Sequence, residues 1–267
     1  MPSASGDILS ERHGRVGTIT INRPPLNILN IAMFDGITTA LLGLTSGDQV
    51  DIVVIRATGS KAFSAGADIK DHTPEMAPRM LAAFHRVARQ LWSVDAVTVA
   101  AVHGLALGGG FEMVQCCDIV VASEEAEFGQ PEIRIGSFPP IAAAILPGSV
   151  GRQFASDILL TGRRISAFEA LALGLVSRLA PPGDLDAELS DVVRALSENS
   201  GPVMRQAVRA LRGRHAQQFS DALSATERIY LEDLLTLDDA REGVEAFLQK
   251  RKPHWRGAVK PKETDGA

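Results

Sequence analysis

Short, continuous apolar runs alternate along the chain with stretches in which apolar side chains recur every three or four positions. Residues 15–21 (RVGTITI), 51–57 (DIVVIRA), 97–102 (VTVAAV) and 118–122 (DIVVA) are strand-like. Their apolar character on both faces is that of strands buried between layers. Residues 30–44 have helical spacing. Residues 77–91 are amphipathic, with Met80, Leu81, Phe84, Val87 and Leu91 on one face. Strands alternating with helices in this way predict an α/β fold built on mainly parallel sheets. The turns share a rhythm but not letters, so no sequence repeat is claimed.

Beyond Pro139 the pattern turns helical. Ser166 and Glu169 form a capping box ahead of Ala170, Leu171 and Leu173, and Gly174 ends that helix. After the break at Pro181-Pro182-Gly183, helices are expected over 185–196 and 203–211. Another is marked by Phe219, Ala222, Leu223, Thr226 and Tyr230, and a last one by Ala240, Val244, Phe247 and Leu248. A basic end, Lys250-Arg251-Lys252 with Arg256, Lys260 and Lys262, reads as a solvated terminus.

The chemistry concentrates in residues 101–136. An apolar strand stops at Gly104, and Gly108, Gly109 and Gly110 open a helix. Glycines there let the backbone approach a ligand and leave N–H groups unpaired, a setting for resting or developing negative charge. Glu112 follows in the first turn, and Glu132 lies in the loop FGQPE. A second small-residue loop, KAFSAGADIK at 61–70, also follows a buried strand. Two such loops at the ends of neighbouring parallel strands would place the Ala67 and Gly109 N–H groups around one oxygen. Alternatively, Gly66 only serves a tight turn, Glu112 only caps a helix start, and Glu132 is a surface residue.

Composition narrows the classes. The chain has 267 residues, 45% hydrophobic and 22% charged, consistent with an ordinary globular protein of one large domain or a core with an appendage. A net charge of −5 argues against non-specific nucleic-acid binding. The adjacent Cys116 and Cys117 suit neither a disulfide framework nor a metal site and read as small buried side chains. Neither a P-loop nor a nucleophile elbow occurs, and His103 reads as a strand-end residue. The first residues carry no apolar signal region, and no run approaches the ~20 residues of a membrane span, so a cytoplasmic location is expected.

Asn22-Arg23-Pro24 with Asn27 and Asn30, KAFSAGADIK, AAVHGLALGGGFE, CDIVVAS, FGQPE, LLTGRRISAFEA and EAFLQKR occur in that order. Together they resemble the enoyl-CoA hydratase/isomerase (crotonase) superfamily over about residues 16–252. The resemblance implies a spiral of ββα turns over residues 1–200 and a C-terminal helical trimerisation region over 201–267. It implies a homotrimer or homohexamer acting on an acyl-CoA thioester. No metal or organic cofactor is implied, CoA being part of the substrate. Carried over by position, Ala67 and Gly109 are the oxyanion-hole amides, and Glu112 and Glu132 are the two catalytic glutamates of the hydratase branch. Ala65, Ala67, Asp68, Ile69 and Lys70 fall where the family contacts CoA. Phe247 and Lys250 match C-terminal positions that reach an adenine or phosphate.

That pair of glutamates favours hydration of an enoyl-CoA, with Glu112 activating water and Glu132 protonating C2. Isomerisation, decarboxylation or thioester hydrolysis remain alternatives, as does a non-catalytic acyl-CoA-binding protein. One departure is chemical. Straight-chain hydratases carry a glycine-rich segment after the second glutamate, whereas this chain has GSFPPIA, and Pro140 offers no N–H to the reacting water. That stretch, with His72-Thr73-Pro74 and Phe84-His85, resembles the branch that hydrates cyclic dienoyl-CoA esters. Met80, Phe84, Phe111 and Phe138 are expected to set the size of the acyl group.

Overall fold

The computed structural model describes residues 6–47 and 50–257. An antiparallel pair, β1 (Ile8–His13) and β2 (Val16–Ile21), leads into helix α1 (Ile31–Thr45). Asn30, expected inside that helix, caps it instead: its side chain accepts from the Met33 N–H at 2.9 Å.

From there one unit recurs: a long strand, a three-residue strand, then a helix. The first is β3 (Ile52–Ala57), β4 (Ala62–Ser64) and α2 (Ala77–Ser93). The second is β5 (Val97–Val102), β6 (Leu105–Leu107) and α3 (Gly109–Gln115). In the third, β7 (Ile119–Ser123) and β8 (Glu127–Gly129) lead through a 3-10 turn, Pro131–Ile135, to α4 (Pro140–Val150) and α5 (Arg152–Thr161). Then come β9 (Arg164–Ser166), α6 (Ala167–Ala172), β10 (Arg178–Ala180) and three further helices, α7 (Leu185–Ser197), α8 (Gly201–Arg228) and α9 (Asp238–Leu248). This is the expected α/β fold of ββα turns with a helical C-terminal region. The capping box is as expected too, with Ser166 Oγ accepting from the Glu169 N–H at 3.1 Å.

The two strands of each unit enter different sheets. The long strands, with three-residue β10 at one edge, form one sheet in the order β1-β2-β3-β5-β7-β10, parallel from β2 onward; the other short strands form β4-β6-β8-β9. On one face of the long sheet, Ile55, Ala100 and Val102 pack with Phe34, Ile37 and Leu81. On the other, Ile52, Val54, Val99 and Val121 pack with Leu189, Val192 and Val208. Burial on both faces is why those strands read as unbroken apolar runs.

The C-terminal region departs from expectation in one place. Residues 201–228 form one 28-residue helix, not two. The polar stretch around Arg212, which falls between two expected helices, is an anchor. Arg212 is buried and donates to Asp118, to the Leu91 and Val94 carbonyls at 2.8 and 2.6 Å, and to the Ala96 carbonyl at 3.2 Å. The basic end is solvent-exposed as expected, at Lys250, Arg251, Lys252 and Arg256, and is held along the surface by hydrogen bonds. Arg251 forks onto Glu242 at 2.5 and 2.8 Å, and the Arg256 and Gly257 N–H groups donate to Asp239 at 2.7 and 3.0 Å. Lys260 and Lys262 lie outside the described residues. Among the described residues, no helix is long and apolar enough to cross a membrane, and no cluster of three or more His, Cys, Asp or Glu could hold a metal.

Candidate active site

The short sheet positions the site. Its strands β4, β6 and β8 are neighbours and parallel, so the loops that leave their C-terminal ends lie side by side. Those loops carry Ala65-Gly66-Ala67, Gly108-Gly109 and Gln130-Pro131-Glu132. The C-terminal edge of parallel strands is where α/β folds place ligands.

The first loop is braced by the asparagine-rich segment before α1. Buried Asn27 donates to the Thr58 and Ala62 carbonyls at 2.9 and 2.8 Å. The Ala65 N–H donates to Leu26 O at 2.9 Å, Leu29 N–H to Gly66 O at 2.9 Å, and Asp68 N–H to Leu29 O at 2.7 Å. Gly66 does serve a turn, with φ +104°, and the same turn leaves the Ala67 N–H without a partner among the described residues. Gly109, at the first position of α3, is likewise unpartnered. A Cβ built on Gly109 would stand 3.5 Å from the Ala67 nitrogen, and one on Gly66 3.5 Å from the Gly109 nitrogen, so the two amides share one small space.

Glu112 and Glu132 face that space. Gly108, at φ +52°, brings α3 against Glu132 so closely that a Cβ there would lie 2.6 Å from its Oε1. Both carboxyls are nearly sealed, 3% and 8% exposed, which overturns a surface reading of Glu132. Glu112 Oε1 accepts from the Ala142 N–H at 2.9 Å, at the start of α4. Burial pushes its pKa up to about 7 against the pull of the Ala142 and Ile141 amides. Glu132 is held well above the carboxylate range by burial and by the charge of Glu112. With its amide nitrogen facing Glu132, buried Gln130 donates to both carboxyl oxygens at 3.3 Å and accepts from Gln115 at 3.2 Å. No arginine or lysine bonds to either glutamate among the described residues.

A cavity of about 320 Å³ connects these groups. Of the sequence-predicted residues, Ala65, Ala67, Ile69, Gly109, Glu112, Glu132 and half-exposed Phe247 line it. Asp68, Lys70 and Lys250 do not: Asp68 caps the turn that follows, accepting from the Lys70 N–H at 3.1 Å, and both lysines are exposed. Met80, Phe84 and Phe138 line it as expected, but Phe111 turns into the core, its ring 5.1 Å from that of Phe128. Leu81, Ile135, His72, Arg134 and Tyr230 also line it and were missed. Tyr230 falls on the apolar face of an expected helix, a pattern that hides its hydroxyl. Pro139 and Pro140 wall the cavity, and the helix amides that follow them, of Ile141 and Ala142, are turned to Glu112. His103 ends a strand as expected, and Cys116 is buried with Cys117 half-buried beside it.

The sequence matches the enoyl-CoA hydratase/isomerase family model over residues 11–258. It is 40% identical over 252 residues to a Mycobacterium tuberculosis protein described as a probable enoyl-CoA hydratase, covering 93% of this chain and 97% of that one. It is 34% identical over 245 residues to a cyclohexa-1,5-dienecarbonyl-CoA hydratase of Thauera aromatica, covering 92% and 94%. The fold superposes on the crystal structure of an enoyl-CoA hydratase from Mycobacterium avium subsp. paratuberculosis with a TM-score of 0.84 and 30% identity, covering 94% and 98%.

Proposed function

The chain belongs to the enoyl-CoA hydratase/isomerase family and is an enzyme of the hydro-lyase type, and we propose that it adds water across the C2=C3 bond of an enoyl-CoA between Glu112 and Glu132. The observation that carries this reading is a pair of buried carboxyls, without a cation, facing two unpartnered amides across one cavity.

In this reading the Ala67 and Gly109 N–H groups hold the thioester oxygen. Attack at C3 moves the π electrons onto that oxygen, and donors already aimed there stabilise the enolate by roughly 3 kcal/mol each. Glu112 takes a proton from the attacking water as the O–C3 bond forms, and Glu132 gives a proton to C2. Two carboxyls of raised and mutually dependent affinity suit this division, because one stays protonated while the other is ionised near neutral pH. CoA leaves the cavity past Ala65 and Ile69. Asp68, Lys70, Phe247 and Lys250 contact it further out, and no metal or organic cofactor takes part. The acyl end lies against Phe84, Leu81, Phe138, Pro139 and Pro140, apolar side chains of which four are rings, and this lining supports a cyclic acyl group over a flexible chain. Assembly as a trimer or hexamer would cover exposed Val203, Leu211 and Ile229 on the C-terminal helices.

Turnover of crotonyl-CoA beside cyclohexa-1,5-diene-1-carbonyl-CoA, with products identified by mass, tests the reading. A product heavier by one water is expected, with the cyclic diene preferred. Preference for crotonyl-CoA would contradict the cyclic assignment alone. Turnover without a hydrated product would favour isomerisation or hydrolysis, and binding without turnover a non-catalytic role.

A further inference from the structure

α8 does not end in a plain cap. Residues Ile229–Asp233 form a π-helical turn, a widening often found at functional sites, and it carries Tyr230. The side chain is 2% exposed and borders the cavity shared by Glu112, Glu132 and Pro140. Its ring leans on Phe138 at 5.4 Å, and its hydroxyl meets Ser137 Oγ at 3.0 Å. Ser137 is itself buried and follows the turn that carries Glu132, its N–H donating to Glu132 O at 3.0 Å.

Two hydroxyls hold two protons and share one hydrogen bond. Whichever donates, one O–H is left over, and no other group among the described residues accepts it. A buried donor without an acceptor is costly unless a ligand supplies one. The carboxylates register at the phenol: beyond the effect of burial, the charges of Glu132 and Glu112 both help push Tyr230 up to about 12, so it keeps its proton at any working pH. Beside it, Pro139 and Pro140 have no N–H to give, and the amides that follow them, of Ile141 and Ala142, are turned to Glu112.

We propose that the Ser137–Tyr230 hydroxyl pair is the donor that holds the oxygen being added at C3, in the place left without an amide by Pro139 and Pro140. This rests on the hydration reading above. The pair donates a hydrogen bond and transfers no proton: Glu112 still takes the proton from water and Glu132 still supplies C2. Tyr230 is thus a substrate-contacting residue for the oxygen of water, with Ser137 orienting it.

Two reactions separate this role from a structural one. Hydration needs the oxygen held; exchange of the C2 hydrogens of a saturated acyl-CoA with deuterium oxide needs only the amides and a carboxylate. Tyr230→Phe should lower kcat for hydration about 10- to 100-fold, the scale of a lost hydrogen bond to a charged or developing group. KM and the rate of C2 exchange should stay within about threefold of wild type. Ser137→Ala should lower kcat less, because the phenol keeps its own proton. The proposal is overturned if hydration and exchange fall together in Tyr230→Phe, if neither falls, or if Ser137→Ala is the more damaging. Unchanged hydration would mean the hydroxyl serves the cavity of about 10 Å³ behind it, between His72 and Arg241. A wild type that exchanges C2 hydrogens but hydrates nothing would overturn the hydration reading, and this inference with it.

Discussion

Two sets of carboxylates stand in this molecule, and they are treated in opposite ways. Asp51 is met by Arg15 and Arg205, and Asp118 by Arg212, whose remaining N–H groups reach three backbone carbonyls. Each joins segments far apart in sequence: Asp51 ties the start of β3 to α8, and Asp118 ties the start of β7 to the same helix. Glu112 and Glu132 are as deeply buried as Asp51, yet they receive only amides and each other. A carboxylate matched by a guanidinium fixes geometry. One left without a cation gains proton affinity and becomes able to give and take protons near neutral pH. The contrast separates what holds the fold from what performs the chemistry.

The largest test of that contrast is catalytic. Glu112→Gln should lower kcat for hydration by about 10²- to 10⁴-fold, the usual share of a general acid or base. The Glu112→Gln/Glu132→Gln double variant should lose little more than either single, since two groups serving one proton cycle are not additive. Additive losses in steady-state kinetics would mean the carboxyls act in separate steps.

The opposite signature belongs to the arginine cluster. Arg212→Ala removes the partner of Asp118, leaves the carbonyls of Leu91, Val94 and Ala96 without their donor, and should cost about 2–4 kcal/mol in urea unfolding. Its folded fraction should keep kcat within a few-fold of wild type. A catalytic loss with intact stability would break the division between the two regions.

A smaller effect lies in the pH dependence of stability. The pKa of Glu112 is raised in the folded protein from about 4.5 to about 7. The folded state therefore binds the proton more tightly than the unfolded chain, and stability is lost as pH rises through that window. Glu112→Gln, whose carbonyl still accepts from Ala142, should be more stable than wild type by about 2 kcal/mol more at pH 8 than at pH 5. Equal differences at the two pH values would mean the carboxyl is not held in its neutral form by the fold. The smallest change is expected from Arg194→Ala, which removes an exposed pair with Asp191 and should leave both kcat and unfolding within measurement error.

How much of this was legible in the sequence follows from strand length. β3, β5 and β7 are apolar on both faces and announce themselves. β4, β6 and β8 have three residues each, too few to show a period, yet they align the loops that build the site. Glycine betrayed those loops when periodicity could not: Gly66 and Gly108 sit at positive φ where the backbone must approach a partner. Glu112 and Glu132 were readable as chemistry because ordered motifs surround them. Tyr230 was not, because a tyrosine at helical spacing looks like core until its hydroxyl is found beside Ser137. Phe111 misled for a similar reason: next to Glu112 in sequence, it points to the other side of α3. The continuity of α8 through Arg212 was hidden because a long-range ion pair leaves no local signal.

The most direct test is the hydration kcat of Glu132→Gln, measured beside wild type on whichever of the two thioesters wild type hydrates, with thermal unfolding recorded on the same samples. A loss of about 10²-fold or more, with an unfolding temperature at or above that of wild type, is the predicted result. Turnover near the wild-type level in a folded Glu132→Gln would contradict the assignment of the buried pair as the groups that carry the reaction.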